Sequence, residues 1–304
     1  MLKLRVPFGI AFVFLLVGVL WLDGVISRAG SPGWFPEVMR SADGTLPPNA
    51  LVFPLLLLLG VMVARELVRI LRAKGVEAST GLTCALAVLG LSVTALSPSG
   101  VDGFTGTATA HTGVGLVLAG AMVWYARDKR PEGLVASAGG ALLAYAFIGV
   151  LLGFLAAIRR EHSEWVLLYV IAVTKACDTG AFFTGRAIGK HKLAPWLSPG
   201  KTWEGLWGGV AFSSLVGGLG AWWLSSAEIT SIPVWAGVVM GAVFALLGQA
   251  GDLVASLLKR DAGRKDAGSS VPGFGGVLDL VDSLLLVGPV AFWSLRFVSW
   301  VSGT

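Results

Sequence analysis

Apolar runs of roughly 20 residues alternate with short polar interludes along almost the whole chain. A helix of that length, rising about 1.5 Å per residue, crosses a hydrocarbon core about 30 Å thick. The pattern predicts nine helices, over residues 6–26, 49–71, 76–96, 106–126, 133–158, 164–184, 203–224, 232–258 and 276–300. Thr, Ser and Gly dilute the third and fourth. The glycine pairs Gly139-Gly140, Gly208-Gly209 and Gly217-Gly218 suit close helix packing in lipid. The expected fold class is therefore all-α: a polytopic membrane protein with about nine transmembrane helices.

Composition agrees. Hydrophobic residues make up 55% of the 304 and charged residues 13%, against about 25% charged in soluble domains. Mean hydropathy is +0.78. Lys3 and Arg5 precede an apolar run from Pro7 to Leu22, as in a signal peptide. The run is long for that, and no small-x-small cleavage site follows, so it reads as a retained first helix. Cys84 and Cys177 both fall in apolar segments, as buried thiols do. His111, His162 and His191 are scattered, without the pairing of a zinc site.

Charge then orients the bundle. One side collects Lys3, Arg5, Arg65, Arg69, Arg72, Lys74, Arg127, Lys129, Arg130, Arg186, Lys190, Lys192, Lys201, Lys259, Arg260, Arg264 and Lys265. The other collects only Arg28, Arg40, Arg159 and Arg160. Seventeen against four predicts a cytoplasmic N-terminus and an outer C-terminus. Residues 1–160 form an N-terminal region of about five helices. Residues 161–304 form a C-terminal catalytic region of about four, with cytoplasmic loops 185–202 and 259–275.

Chemistry concentrates in that second region. From Asp252 to Asp282 the chain holds four basic residues, five aspartates and the turn Pro272-Gly273-Phe274-Gly275-Gly276, all at a membrane boundary. Charge there is costly and marks function by default. Asp252, Ser256 and Lys259 recur on one helical face, as do Asp279 and Asp282 on the next helix. The turn aims backbone N–H groups into a cavity at a helix N-terminus, which suits anions. Carboxylates and cations together make sense if the former hold Mg²⁺ and the latter hold polyphosphate. Mutual salt-bridging at the interface is the plainer alternative.

A second constellation runs from Lys175 to Gly209. Lys175 and Asp178 lie three apart and can pair, either to fix helix packing or with Asp178 facing the same polar cavity. Ser198-Pro199-Gly200-Lys201-Thr202 resembles a phosphate-binding turn in composition but lacks the P-loop spacing. Glu204 suits the acidic first turn of the helix it opens. Asp23 and Arg296, near span ends, read as side chains that reach the interface. Trp21, Trp165, Trp222, Trp223, Trp293 and Trp300 read as an interfacial belt rather than as platforms for nucleic acid, and no nucleic-acid partner is expected.

At these residues the chain resembles the phosphatidate cytidylyltransferase (CDP-diacylglycerol synthase) family. The family's S-x-x-K-R-x4-K-D followed by P-G-H-G-G-x-x-D-R-x-D stands here as Ser256, Lys259-Arg260, Lys265-Asp266, Pro272–Gly276, Asp279 and Asp282. Gly251-Asp252-Leu253, Asp178-Thr179 and the stretch from Ser198 to Gly205 also fit. Phe274 replaces the family's His and Leu280 its Arg. The resemblance covers the C-terminal half closely; the first half is similar only in spanning many times.

The resemblance implies transfer of a cytidylyl group from CTP to phosphatidate, giving CDP-diacylglycerol and pyrophosphate in phospholipid biosynthesis. It implies a divalent-metal cluster at Asp252, Asp279 and Asp282, with Mg²⁺ and room for a second ion. Lys259, Arg260 and Lys265 would neutralise the triphosphate or the lipid phosphate, Lys201 would reach in from the neighbouring loop, and Ser256 and Asp266 would orient these groups. Asp178, Ser198, Gly273, Gly275 and Gly276 would complete substrate binding. An inner-membrane enzyme with its active site toward the cytoplasm follows, and a homodimer is compatible. A CTP-dependent transferase for another lipid phosphate, a member inactivated at Phe274 and Leu280, and an ion-coupled transporter stay open. Against the last, the charges sit at the cytoplasmic boundary rather than the midplane, and no inverted repeat is visible.

Overall fold

The computed structural model describes residues 2–29, 48–97, 103–127, 132–264, 266–268 and 275–302. Among them the chain is helical apart from one short hairpin and the connecting turns. Each apolar run lies on a helix: α1 (Leu2–Arg28), α2 (Val52–Ala73), α3 (Thr80–Leu96) and α4 (Gly103–Ala126). The fifth run is one helical stretch whose winding changes midway, from α5 (Leu134–Leu143) through a π-helical segment (Ala144–Val150) to α6 (Leu151–Glu161). Then follow α7 (Glu164–Ile188), α8 (Trp203–Ser226), α9 (Val234–Asp261) and α10 (Leu278–Ser302). Among the described residues, four stretches are long and apolar enough to cross a membrane: Leu134–Glu161, Glu164–Ile188, Val234–Asp261 and Leu278–Ser302. The chain is thus an integral membrane protein.

The addition to the all-α expectation is the hairpin of β1 (Lys192–Ala194) and β2 (Ser198–Thr202), which pairs Lys192 with Thr202 and Ala194 with Ser198. Its base is fixed by α8. Thr202 is the N-cap, and its Oγ1 accepts the Gly205 N–H at 3.1 Å. The Glu204 carboxylate accepts the N–H groups of Lys190 and His191 at 3.1–3.2 Å. The first-turn acid therefore ties down the chain entering the hairpin as well as its own helix.

The chain divides into two compact units. The first comprises Met1–Leu55, Leu155–Leu257 and Val281–Thr304. There the predicted glycines are packing surfaces: Gly209 lies against Cys177 of α7, and Gly217 against Gly237 of α9. The second unit comprises Leu56–Phe154 and Leu258–Leu280. In it α3 packs on the π-helical segment, and Ala121, Ala138 and Ala141 form a small core with Leu82, Leu86, Met122 and Tyr125.

One expectation is corrected in the first unit. Asp23 does not reach the interface: it is fully buried, accepting from Arg159 Nε at 2.7 Å and from the Leu51 and Val52 N–H groups at 2.7 and 3.2 Å. Arg159 in turn lies 3.7 Å from Glu164, which pairs with Arg28. Arg296, 38% exposed, lies 3.7 Å from Glu161 and 5.5 Å from the centre of the Phe292 ring. An interior charge must find a partner, and here the partners come from distant helices.

Candidate active site

In the first unit, polar side chains from α7, β2, α9 and α10 converge. Lys201, the residue before the α8 N-cap, holds Asp252 Oδ2 at 2.6 Å. Both line a cavity of about 360 Å³ together with Asp178, Arg186, Gly200 and Gln249. Gln249 Nε2 donates to Asp178 Oδ1 at 3.4 Å, and Lys175 Nζ lies 3.7 Å from Asp178 Oδ2. Lys175 also donates to Ser283 Oγ at 2.6 Å, next to Asp282. Asp282 is buried, takes the Ser283 N–H at 2.6 Å, and feels the charges of Lys175, Asp252 and Asp178.

One glycine makes this convergence possible. A Cβ on Gly251 would run into the Asp282 carbonyl, so α9 and α10 touch at this point. Any side chain there would separate the helices carrying Asp252 and Asp282. Sequence neighbours thus do double duty: Gly251 sets the helix separation and Asp252 supplies the charge.

The second unit holds a separate charged group at the start of α10. Asp279 Oδ1 pairs with Lys259, while its Oδ2 accepts the Gly276 N–H at 3.0 Å. Gly275 has φ +97°, and a Cβ there would come within 3.0 Å of Asp279 Oδ2. Only glycine takes that backbone shape without strain while admitting the carboxylate. Glu66 of α2 is buried and accepts the N–H groups of Val277 and Leu278, each at 2.9 Å. Lys74 pairs with the exposed Asp261 at 2.8 Å.

The remaining predicted residues fall as follows. Ser198 stands in β2 opposite Ala194 and is not part of the cavity wall. Ser256 is half-buried on α9, and Arg260 and Asp266 are exposed. Lys265, Gly273 and Phe274 lie outside the described residues. Lys201, Asp252 and Asp178 are brought together in the first unit, and Lys259, Asp279, Gly275 and Gly276 in the second. Sequence reasoning passed over Gln249, Ser283 and Glu66. Glu66 carried a signal, as an acid inside a predicted span; Gln249 and Ser283 carried none beyond polarity in an apolar helix.

Among the described residues, no three His, Cys, Asp or Glu side chains converge as a metal cage would. Mg²⁺ in phosphoryl-transfer sites is commonly held by one or two carboxylates, with waters and substrate phosphates filling the other positions. Asp252 and Asp282, neighbouring hard-oxygen donors in one unit, fit that mode.

The model of the cytidylyltransferase family matches residues 45–298. Over 137 residues the chain is 36% identical to a Haemophilus influenzae protein named phosphatidate cytidylyltransferase, covering 45% of this chain and 48% of that one. It is 36% identical over 151 residues to the Escherichia coli uncharacterized protein YnbB, covering 45% and 49%. It is 38% identical over 149 residues to a Staphylococcus aureus phosphatidate cytidylyltransferase, covering 49% and 55%. The chain spans about half the length of the curated relatives it matches. Matched by the family's model over most of its own length, the chain belongs to the cytidylyltransferase family.

Proposed function

We propose that the protein transfers the cytidylyl group of CTP to phosphatidate, forming CDP-diacylglycerol and pyrophosphate. The observation that carries this reading is the Lys201–Asp252 pair on the wall of a cavity that also takes in Asp178, Arg186 and Gln249. A cavity with fixed cations beside carboxylates, in a membrane protein, suits a polyphosphate substrate meeting a lipid phosphate. The names of the H. influenzae and S. aureus relatives support the same substrates.

In the proposed reaction a phosphatidate oxygen attacks the α-phosphorus of CTP in line. The new P–O bond forms as the bond to the bridging α–β oxygen breaks, and pyrophosphate leaves with that electron pair. Such a step needs positioning and charge neutralisation more than covalent help. Lys201 and Arg186 supply positive charge at the cavity, and Lys175 holds Asp178 in place. Lys259, Arg260 and Lys265 would serve the phosphates, with Ser256 and Asp266 in support. Of the aspartates that the resemblance names for metal, Asp252 and Asp282 would hold Mg²⁺, which when bound neutralises phosphate charge. Asp279 is engaged by Lys259 as Asp252 is by Lys201. The proposal extends to nine spans in the inner membrane, with the N-terminus and loops 185–202 and 259–275 in the cytoplasm, supported by the seventeen-to-four distribution of basic residues. A homodimer belongs to the proposal by resemblance alone.

The test uses the purified full chain with Mg²⁺, labelled CTP and phosphatidate in mixed micelles. Labelled CDP-lipid and pyrophosphate should appear in equal amounts, and Asp282→Asn should abolish turnover with expression unchanged. Product with a polyprenyl phosphate but not with phosphatidate would redirect the reading. No product with any lipid phosphate would end it, and near-normal Asp282→Asn activity would remove Asp282 from the site.

A further inference from the structure

The start of α10 leaves its first backbone donors without helical partners, as every helix does. Here they are taken by a side chain from far away in sequence. Glu66, 1% exposed in α2, accepts the Val277 N–H through Oε1 and the Leu278 N–H through Oε2, each at 2.9 Å. The next residue, Asp279, bonds back to the Gly276 N–H and pairs with Lys259. Three consecutive donors, on Gly276, Val277 and Leu278, are therefore divided between two carboxylates.

The glycine turn is shaped around this arrangement. A Cβ on Gly276 would fall 2.6 Å from Glu66 Oε2 and 2.8 Å from the Ala267 Cβ, so the carboxylate occupies space that any other residue would need. Glu66 meets the positive end of the α10 dipole, which favours a negative charge there. Its two oxygens fix both the height and the rotation of the first turn. Asp279 lies one residue beyond the second of those bonds. Lys259 receives its carboxylate partner in whatever place that turn sets.

We propose that Glu66 is a positioning residue for the Asp279–Lys259 pair; the proposal rests on the reaction proposed above, in which Lys259 serves the phosphates. Glu66 touches no substrate. It acts through the backbone of residues 276–278, holding Asp279 and Lys259 in the arrangement the transition state uses. Groups that orient reacting residues in this way commonly cost about 10- to 100-fold in activity when altered.

The experiment compares wild type with Glu66→Gln and Glu66→Asp in the full-length protein. Gln keeps the size but offers one acceptor and places an N–H against a backbone donor. Asp keeps the charge and both acceptors on a shorter stem. Hydrogen exchange read on peptides covering 275–285 should rise in Glu66→Gln, with peptides of 164–188 unchanged, which establishes that the variant is folded. With CTP and phosphatidate, kcat should fall about 10- to 100-fold with KM for CTP within about twofold, as expected when a transition-state interaction is lost. Glu66→Asp should recover part of both effects. Unchanged exchange and unchanged kcat would overturn the assignment. Raised exchange with unchanged kcat would also overturn it, leaving Glu66 a helix cap without a role in the reaction. A wild type whose exchange matches expectation but which makes no CDP-lipid would instead remove the proposed reaction, and the positioning role with it.

Discussion

The buried Asp23–Arg159 pair gives a stability prediction whose sign distinguishes pairing from simple packing. Both side chains are almost inaccessible, at 0% and 4% exposure. At 2.7 Å, their attraction is about 6 kcal/mol at an effective dielectric of about 20. Much of that offsets the desolvation of two ions, so neither the pair nor its replacement by apolar groups is strongly stabilising. Breaking it from one side is another matter, typically costing about 3–5 kcal/mol because a charge is left buried. Asp23→Asn should fall near the lower end, since Arg159 retains Glu164 at 3.7 Å and Ser27 Oγ at 3.1 Å. Arg159→Met leaves Asp23 only its two backbone donors and should cost at least as much.

The double variant should cost about 2 kcal/mol or less, below either single change, because no unpaired charge remains. The assay is unfolding by SDS titration in mixed micelles, followed by tryptophan fluorescence. Trp165, edge-on to Trp223 at 5.8 Å and adjacent to Glu164, is a local reporter. If the double variant loses the sum of the two single losses to within about 0.5 kcal/mol, the residues are energetically independent and the argument fails.

Two further predictions concern the proposed chemistry. Lys201→Met removes the cation from Asp252 and should lower kcat/KM for CTP by about 100-fold or more, a loss of about 2.7 kcal/mol in transition-state stabilisation; steady-state kinetics showing less than a threefold change would exclude Lys201 from phosphate binding. Phe274→His with Leu280→Arg restores the two groups the family pattern carries, and turnover with phosphatidate should stay equal or rise. A fall of tenfold or more in the same CDP-lipid assay would mean the turn has been rebuilt around the present residues.

The helices were legible because lipid imposes a single requirement, an apolar run of sufficient length, and each run lies on a helix. The hairpin was not. Lys192–Thr202 has too few alternating apolar positions to announce strands, and it is held by Glu204 and Thr202, whose helix-start roles could be read but whose reach back to Lys190 and His191 could not. Charged residues in apolar surroundings pointed to Asp178, Lys201 and Asp252 because such placement is costly anywhere in a membrane protein. Their partners were less legible. Helical spacing put Asp252 and Lys259 on one face, yet Asp252 pairs with Lys201 and Lys259 with Asp279. Asp23 was misread for the same reason: its cation, Arg159, is 136 positions away. Glu66 carried a signal as an acid inside a span, but its role carried none, because the backbone amides of Val277 and Leu278 that it accepts from are marked by no sequence pattern.

The hairpin also constrains how this chain can vary. Lys201 is one residue from the end of a strand whose base is sewn to α8, while the tip carries Pro195 and an exposed Trp196. Side chains along a strand alternate faces. A single residue inserted between Lys201 and the clamped Thr202 would turn the ammonium to the opposite side of the ribbon and away from Asp252. Insertions at Pro195–Leu197 lengthen only the tip and leave that parity intact. Length variation among descendants of this chain should therefore collect at the tip, while the single step from Lys201 to Thr202 keeps its length.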